Sequence, residues 1–447
     1  MEPPFPSLAA LILSAATMLL LPALWNGYPF IFWDSGDYLV AAVTGERIVY
    51  RDPVYGLLIG PWHNHVTLWG IAVVQSLFAA WILFETTRQV LRRKGWTGAF
   101  LAIVASLAAF SSLPWFADQV MPDIFGPLAV LLFFLVGLGD LSVGKRTLFA
   151  ALLALSIACH LSFLPLGGTL LLVVLALRRP LARHGVAVQI GGLAGALAVA
   201  PALILAANMA LGGPARLSQT GHTFLLARLV QDGLAKRTLD LLCPDPELKL
   251  CAYKDRLPAT ANDFLWGDSE AFAALGGWLG SREEAERILW ASVKLFPVEH
   301  LESALRLSAQ QFMSFSTGDG LEPQAEPWVV IEQHFPGDFP RYAAARQQSD
   351  RLHPAWLFRQ HLRLAALALC FLPLLGWAAW RSGRFRDCAG LALIASALLA
   401  NAVICGALSN PNDRYQSRMV WLAVLALALA IADFGLRGRV DRVAARV

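Results

Sequence analysis

Apolar stretches of roughly 20 residues recur along this chain, and they restrict the folds that it can adopt. A helix of that length crosses the ~30 Å hydrocarbon core of a bilayer and satisfies its own backbone hydrogen bonds. The composition agrees, because 57% of the residues are hydrophobic and only 15% are charged, against about 25% charged in soluble domains. The sequence therefore predicts an all-α polytopic membrane protein.

Hydropathy predicts about ten transmembrane helices. They fall at 7–25, 66–90, 97–114, 123–139, 147–160, 163–178, 186–210, 359–380, 389–408 and 418–436. Pro165, Gly167 and Gly168 leave a second interpretation open, in which 147–178 is one broken helix and the chain has nine spans.

Basic residues in the short loops predict the orientation. They follow every second span, at Arg88, Arg92, Arg93, Lys94, Lys145, Arg146, Arg178, Arg179, Arg183, Arg381, Arg384, Arg386, Arg437, Arg439, Arg442 and Arg446. Such residues stay in the cytoplasm, so all of them share one side if both termini are cytoplasmic and the span number is even. Arg359 and Arg363 depart from this rule. The net charge of +4 mostly reflects these loops, and we expect no nucleic acid partner.

The spans divide the chain into three parts. These are a transmembrane module at 1–211 with a first outer loop at 26–65, an outer insertion at 212–357, and C-terminal transmembrane helices at 358–447. The insertion has a soluble composition and is expected to be mainly helical, with one amphipathic helix running from Ser281 to about Phe296. Cys243 and Cys251 are close enough in sequence to form a disulfide in an oxidising compartment. The Ala/Leu/Arg-rich composition and compact loops indicate a bacterial inner membrane, which makes the outer face periplasmic.

The first outer loop is rich in aromatic residues, which suit the headgroup zone of a bilayer. Its stretch 37–49 predicts a short amphipathic helix on the membrane surface, with Asp34 or Ser35 near its start.

Every acidic or basic cluster able to support chemistry lies at the outer end of an apolar segment. The clusters are 33–38, 51–53, 118–123 and 412–415. A pump is expected to carry ionisable residues at the bilayer midplane, so this placement favours an enzyme that works at the outer face. Each cluster also has a structural explanation: Asp34 can cap a helix, His160 can be a core histidine, and Arg414 and Arg418 can extend to the interface.

The residue types in these clusters suit transfer from a lipid phosphate. A carboxylate against an apolar rim has a raised pKa, which suits a general base. An arginine fork binds phosphate oxygens in pairs and neutralises a leaving group. A lipid-phosphate substrate would present its head to the same rim.

The order of the motifs resembles the GT-C glycosyltransferases, in particular the branch with the protein O-mannosyltransferases and the lipid A aminoarabinose transferase. The resemblance is carried by Asp34-Ser35-Gly36-Asp37-Tyr38, Arg51-Asp52-Pro53-Val54-Tyr55, Pro122-Asp123-Ile124-Phe125 and Asp413-Arg414-Tyr415. It covers roughly the first 180 residues and the last two spans. The sequence departs from the family pattern at Val54, Gly56 and His160, which bears on the identity of the donor.

The resemblance implies inverting transfer of a sugar from a polyprenyl-phosphate carrier to a lipid, glycan or protein acceptor at the outer face. It implies that Asp34 or Asp37 is the general base and that Asp123 orients the acceptor or another catalytic group. It also implies that Arg414 and Tyr415 lie at the carrier phosphate. The full set of candidates for binding the substrate or the carrier phosphate is Arg51, Tyr55, His160, Arg414, Tyr415 and Arg418.

No cofactor is required by the sequence, although Asp34 and Asp123 can be imagined to hold a divalent metal, since hard cations prefer oxygen ligands. Two other functions remain open at this point. One is a polymerase or ligase of lipid-linked glycans, which uses pyrophosphate carriers. The other is a transporter of lipid-linked substrates, for which the sequence offers neither paired half-repeats nor ionisable groups at mid-span, since Glu85 and Asp433 lie near the cytoplasmic ends.

Overall fold

The fold is built from α-helices. The computed structural model describes residues 7–92, 95–243, 245, 247–349, 351–352 and 354–444. Arg93, Lys94 and Arg446, which carry part of the predicted basic loops, lie outside the described residues. Among the described residues there is no β-strand, and one isolated bridge joins Phe30 to Gln119.

The helices up to the insertion are α1 (Leu8–Leu19), α2 (Leu21–Asn26), α3 (Trp33–Thr44), α4 (Pro53–His63), α5 (Trp69–Val90), α6 (Trp96–Phe110), α7 (Leu113–Ala117), α8 (Phe125–Leu138), α9 (Val143–Ala158), α10 (Phe163–Arg183) and α11 (Ile190–Ala210). The insertion contributes α12 (Gly221–Gln231), α13 (Leu234–Leu242), α14 (Ala261–Trp266), α15 (Glu270–Ala274), α16 (Gly277–Gly280), α17 (Arg282–Leu295), α18 (Pro297–Met313), α19 (Ala325–His334) and α20 (Phe339–Ala344). The last three are α21 (Ala355–Arg381), α22 (Phe385–Leu408) and α23 (Asp413–Ala444).

Among the described residues, six helices are long and apolar enough to cross a membrane, namely α5, α10, α11, α21, α22 and α23. The protein is therefore a helical integral membrane protein. Three further apolar helices are shorter: α1, α6 and the stretch Pro122–Leu138. Every one of the ten predicted spans corresponds to a helix, and 147–178 forms two helices, α9 and α10, separated at 159–162. How many of the shorter helices cross the bilayer stays a prediction.

Residues of the predicted basic loops meet at one end of the helical bundle. The Glu85 carboxylate lies 2.9 Å from Arg88 and 2.5 Å from Lys145. Arg386 of α22 donates a hydrogen bond to the backbone carbonyl of Gln89, which lies on α5 with Glu85. These contacts join three basic segments that are far apart in sequence, as a shared loop face requires.

The first half of the insertion has its own apolar core. Side chains such as Leu226, Leu239, Phe264 and Ile288 from α12, α13, α14 and α17 are buried together. Helix α17 runs from Arg282 to Leu295 after Ser281, which confirms the predicted amphipathic helix. A disulfide joins Cys243 to Cys251 beside this core, as the sequence suggested.

The second half of the insertion packs onto the first outer loop instead. The Tyr28 hydroxyl donates to the Asp338 carboxylate at 2.6 Å. The Gln347 side chain bonds both backbone groups of Ile31, accepting from its N–H at 3.2 Å and donating to its carbonyl at 2.5 Å. These buried contacts link residues more than 300 positions apart and hold the first loop in one conformation.

The predicted helix at 37–49 is wrong in its boundaries, although Asp34 and Ser35 do lie near its start. Helix α3 begins at Trp33 and ends before Gly45, whose φ of +70° favours glycine. The residue before α3 is Phe32, and Ser35 accepts a hydrogen bond from the Phe32 N–H at 2.9 Å. Helix α3 packs against α4 and α19. Hydrophobic periodicity alone could not reveal that the insertion would cover this helix.

Candidate functional site

Two arginines at the start of α23 share one buried carboxylate. Arg414 and Arg418 are four residues apart and so project from the same face of the helix. Asp123, in a short 3₁₀ turn before α8, lies 3.7 Å from Arg414 Nη1 and 3.1 Å from Arg418 Nη1. Asp123 and Arg418 are each 1% exposed. The last outer loop and the second acidic motif are therefore in direct contact.

A third arginine holds both acidic residues of the first outer loop. Arg51 Nη2 lies 2.5 Å from Asp34 Oδ1, and Arg51 Nε lies 2.7 Å from Asp37 Oδ2. The two carboxylates are three residues apart near the start of α3, and this spacing lets one guanidinium bind both. Arg414 approaches Asp34 from the other side at 3.6 Å. Asp34 thus lies between two guanidinium groups.

Burial changes the proton affinity of two acidic groups around Arg51. The pKa of Asp37 is raised above its ordinary value because burial outweighs the opposing effect of Arg51. The pKa of Asp52 is raised to about 6, again by burial, although its carboxylate accepts the N–H of Leu161. That bond ties the first outer loop to the 159–162 turn.

His160 lies in this turn between α9 and α10. Its Nδ1 is 2.8 Å from Ser162 Oγ. Burial, with a smaller contribution from Arg418, lowers the pKa of His160 to about 3. The imidazole is therefore neutral at pH 7 and can serve as a hydrogen-bond partner without adding charge.

Two cavities meet at these residues. The domain cavity, of about 640 Å³, lies below the insertion and is lined by Phe32, Trp33, Asp34, Asp37, Arg51, Phe224, Arg228, Ala261, Asn262, Leu265, Trp266, Glu326, Leu408, Ser409, Asn410, Asn412, Arg414 and Tyr415. The helix cavity, of about 480 Å³, is lined by side chains that include Asp52, His160, Leu164, Pro165, Ile404, Leu408 and Arg418. Asp34, Arg51, Arg414 and Tyr415 line both cavities and form their shared wall.

Arg414 is the member of the shared wall with unused donors. Its side chain is 7% exposed and its guanidinium lies 4.0 Å from the centre of the Phe32 ring. Its Nε and Nη1 have no hydrogen-bond partner among the described residues. A buried guanidinium normally satisfies its N–H groups, and here Nη1 has only the 3.7 Å ion pair with Asp123, so Arg414 retains hydrogen-bonding capacity for an anion.

The structure brings most of the predicted site residues together. Asp34, Asp37, Arg51, His160, Arg414, Tyr415 and Arg418 each line at least one of the two cavities. Asp123 lines neither cavity and holds Arg414 and Arg418 from behind. Tyr55 lines neither cavity either, because its buried hydroxyl donates to Gln75 at 2.9 Å and its ring packs edge-on against Tyr38. A contact between Tyr55 and a phosphate is not supported.

Residues of the insertion complete the domain cavity, although no sequence motif identified them as candidate site residues. Arg228 donates from Nη1 to the Asn410 side chain at 2.6 Å and pairs with Asp232 at 2.9 Å. Trp266 and Glu326 line the same cavity. These residues lie in a segment of ordinary soluble composition, and no local spacing distinguishes them from surface residues.

The pair suggested for a divalent metal does not fit one. Asp34 and Asp123 both face the guanidinium of Arg414, at 3.6 and 3.7 Å, and a dication between them would meet that positive charge. Among the described residues no group of three His, Cys, Asp or Glu side chains is placed to hold a metal. We derive no step through a metal.

The fold and the site define a class: a helical integral membrane protein with two cavities that share a wall of carboxylate and guanidinium groups. Comparisons of the chain with models of protein families, with curated proteins and with solved structures gave no match.

Proposed function

We propose that this protein is a ten-span glycosyltransferase of the GT-C type. In this proposal it lies in a bacterial inner membrane with both termini in the cytoplasm. It transfers a sugar from a polyprenyl-phosphate carrier to an acceptor on the periplasmic side. The observation that carries the proposal is the position of Arg414, a buried cation with unused donors, beside Asp34 in the wall between the two cavities.

The helix cavity suits the carrier. Leu164 and Pro165 of α10 and Ile404 and Leu408 of α22 supply apolar lining, and Pro165 and Leu408 are exposed. A prenyl chain can enter such a cavity from the bilayer. Arg414, Arg418 and neutral His160 are then placed to hold the phosphate.

The domain cavity suits the acceptor, because residues of the polar insertion line it and it shares Asp34, Arg51, Arg414 and Tyr415 with the helix cavity. The reaction is one displacement. An acceptor hydroxyl oxygen forms a bond to the sugar C1, while the bond from C1 to the phosphate oxygen breaks on the opposite side. The leaving polyprenyl phosphate takes the electron pair and is stabilised by Arg414. The acceptor proton passes to a carboxylate of the first outer loop.

Asp34 is the better placed of the two candidate bases. It lines both cavities, whereas Asp37 lines the domain cavity alone. Both carboxylates contact Arg51, Asp34 at 2.5 Å and Asp37 at 2.7 Å, and Asp37 also accepts a hydrogen bond from the Tyr50 hydroxyl at 3.2 Å. Asp34 also lies 3.6 Å from Arg414, so a donor phosphate bound at Arg414 is close to the Asp34 carboxylate. We assign the base to Asp34 and a positioning role, through Arg51, to Asp37.

The test is sugar transfer by the purified protein in nanodiscs, with a panel of polyprenyl-phosphate sugars and mixed acceptors. Asp34→Asn is compared with Asp37→Asn, a matched change in the same helical turn. We expect Asp34→Asn to lower turnover by about 10²–10⁴-fold, as loss of a general base does, and Asp37→Asn to lower it less.

Equal activity in wild type and Asp34→Asn would overturn the assignment of the base. Transfer from pyrophosphate-linked glycans but from no monophosphate carrier would replace the proposal with the polymerase or ligase function. Movement of a lipid-linked sugar across the bilayer without transfer would replace it with a transporter.

A further inference from the structure

The proposed reaction does not determine whether the acceptor is a lipid, a glycan or a protein. The side chains that line the domain cavity favour one of these classes. We propose that the domain cavity binds a carbohydrate acceptor, so that the hydroxyl that attacks belongs to a glycan. This inference rests on the proposed function, because only that function makes the bound carbohydrate an acceptor. The binding of carbohydrate in this cavity stands on separate observations.

Two tryptophans open onto the domain cavity. Trp33, at the start of α3, is 46% exposed, and Trp266, at the end of α14, is 49% exposed. The Trp266 ring is supported from behind by Tyr50 at 5.1 Å and Trp278 at 4.9 Å between ring centres. Tryptophan combines a large apolar face with one polar group, and this suits the apolar C–H faces of sugar rings.

The polar groups of the cavity are of the kind that hydroxyl groups need. A sugar hydroxyl donates one hydrogen bond and accepts up to two, so it is best served by donors and acceptors in alternation. The cavity offers carboxylates at Asp37 and Glu326, a guanidinium at Arg228 and amides at Asn262 and Asn410. Burial and the nearby Asp37 raise the pKa of Glu326, which makes it a donor as well as an acceptor over a wider pH range.

Two of these polar groups, Arg228 and Asn410, are held in place by hydrogen bonds within the protein. Arg228 bonds the Ser409 carbonyl at 3.1 Å and the Asn410 side chain at 2.6 Å. Asn410 in turn donates to Gln231 at 3.0 Å. A network fixed in this way selects ligands by the positions of their hydroxyl groups, and a fixed site loses less conformational entropy on binding.

The other acceptor classes fit the domain cavity less well. A lipid tail needs a continuous apolar surface, whereas the domain cavity mixes apolar side chains such as Phe224 and Leu265 with the charged groups of Asp37, Arg228 and Glu326. An extended peptide is commonly bound through its backbone at the edge of a sheet, and the described residues contain no strand. The volume of about 640 Å³ lies within the range of small-ligand sites.

The experiment measures binding apart from transfer. Protein in nanodiscs is titrated with short fluorescent oligosaccharides, neutral and acidic, and binding is followed by fluorescence anisotropy. Trp33→Ala and Trp266→Ala are compared with Trp290→Ala. Trp290 is the matched control because it is 67% exposed on α17 and lines neither cavity. Thermal unfolding of each variant checks that the insertion remains folded.

We expect at least one oligosaccharide to bind the wild type. Its Kd should rise about tenfold or more in Trp33→Ala and in Trp266→Ala, and stay unchanged in Trp290→Ala. Trp33 has no role in the aromatic cluster of the insertion, so Trp33→Ala keeps the test valid if Trp266→Ala unfolds. Equal affinity in all folded variants, or no oligosaccharide bound by the wild type, would overturn the inference.

The same preparations separate this inference from the proposed function. Oligosaccharide binding without transfer from any polyprenyl-phosphate sugar would support the carbohydrate site and contradict the glycosyltransferase. Transfer to a peptide or lipid acceptor, with no transfer to a glycan, would support the glycosyltransferase and contradict the carbohydrate acceptor.

Discussion

Arg414 lies 3.7 Å from Asp123, and the two side chains are 7% and 1% exposed. This pair joins the last outer loop to the second acidic motif, and Asp34 extends it at 3.6 Å from the other side of Arg414. Asp123, Arg414 and Asp34 thus form a row of alternating charge, and Arg414 and Asp34 line both cavities. A ligand phosphate at Arg414 therefore acts directly on the carboxylate that we assign as the base.

The first prediction concerns the stability that Asp123 provides. Asp123→Asn removes the negative charge from between Arg414 and Arg418 and leaves two buried cations without it. Breaking a buried ion pair in this way costs about 3–5 kcal/mol. We expect the free energy of unfolding to fall by that amount, measured by thermal or denaturant unfolding in detergent. Glu322→Gln, at an exposed position, is the control, and equal loss in both variants would contradict the structural role of Asp123.

The second prediction separates charge from geometry at Arg414. Arg414→Lys keeps one positive charge but removes the planar fork that binds two phosphate oxygens. We expect kcat/KM for the carrier-linked sugar to fall by about 10²–10³-fold, the scale of a lost transition-state donor, with thermal unfolding close to that of wild type. Arg359→Lys is the matched control because Arg359 is exposed and lines neither cavity. Full activity in Arg414→Lys would exclude a paired phosphate contact.

The third prediction uses the pKa of Asp52, which burial raises to about 6 from an ordinary value near 4. The folded protein binds this proton more tightly than the unfolded chain. The contribution of Asp52 to stability is therefore complete below about pH 4 and is lost as the pH rises to about 6. Asp52→Asn cannot titrate, and its side-chain oxygen can still accept the N–H of Leu161.

The measurement is thermal unfolding of wild type and Asp52→Asn across this pH range. Other buried acids, such as Asp37 and Glu326, titrate in both proteins, so the difference between the two curves isolates Asp52. We expect wild type to lose stability relative to the variant as the pH rises. Parallel curves would show that Asp52 is not buried as described.

The fourth prediction concerns the disulfide between Cys243 and Cys251. It closes a loop with a sequence separation of 8 beside the core of the insertion. A loop of this length restricts the unfolded chain by about 2–3 kcal/mol. The double variant Cys243→Ser, Cys251→Ser should therefore unfold more easily and be cleaved faster within 217–296 by limited proteolysis. Cys370→Ser, at an exposed free cysteine, should behave as wild type.

Local sequence properties determined much of the helical framework. All ten apolar segments became helices, and Ser281 was followed by the amphipathic helix that its spacing predicts. Hydropathy and helical periodicity are read within one or two turns, so they need no knowledge of the fold. The boundaries of α3 were wrong because the packing of α19 and the Phe32 to Ser35 hydrogen bond lie outside such a window.

The sequence by itself determined that the chain enters a membrane and that its chemically useful residues gather at one end of the helices, because both follow from the order of apolar and polar segments. Only the tertiary structure decided the partners within that group. It placed Arg51 between Asp34 and Asp37, and it paired the Tyr55 hydroxyl with Gln75 by a hydrogen bond outside the cavities. It also placed Trp266 and Arg228 of the insertion in the lining of the domain cavity. Arg418 and Asp123 are 295 positions apart, and contacts at such separations depend on how the helices pack rather than on any local pattern.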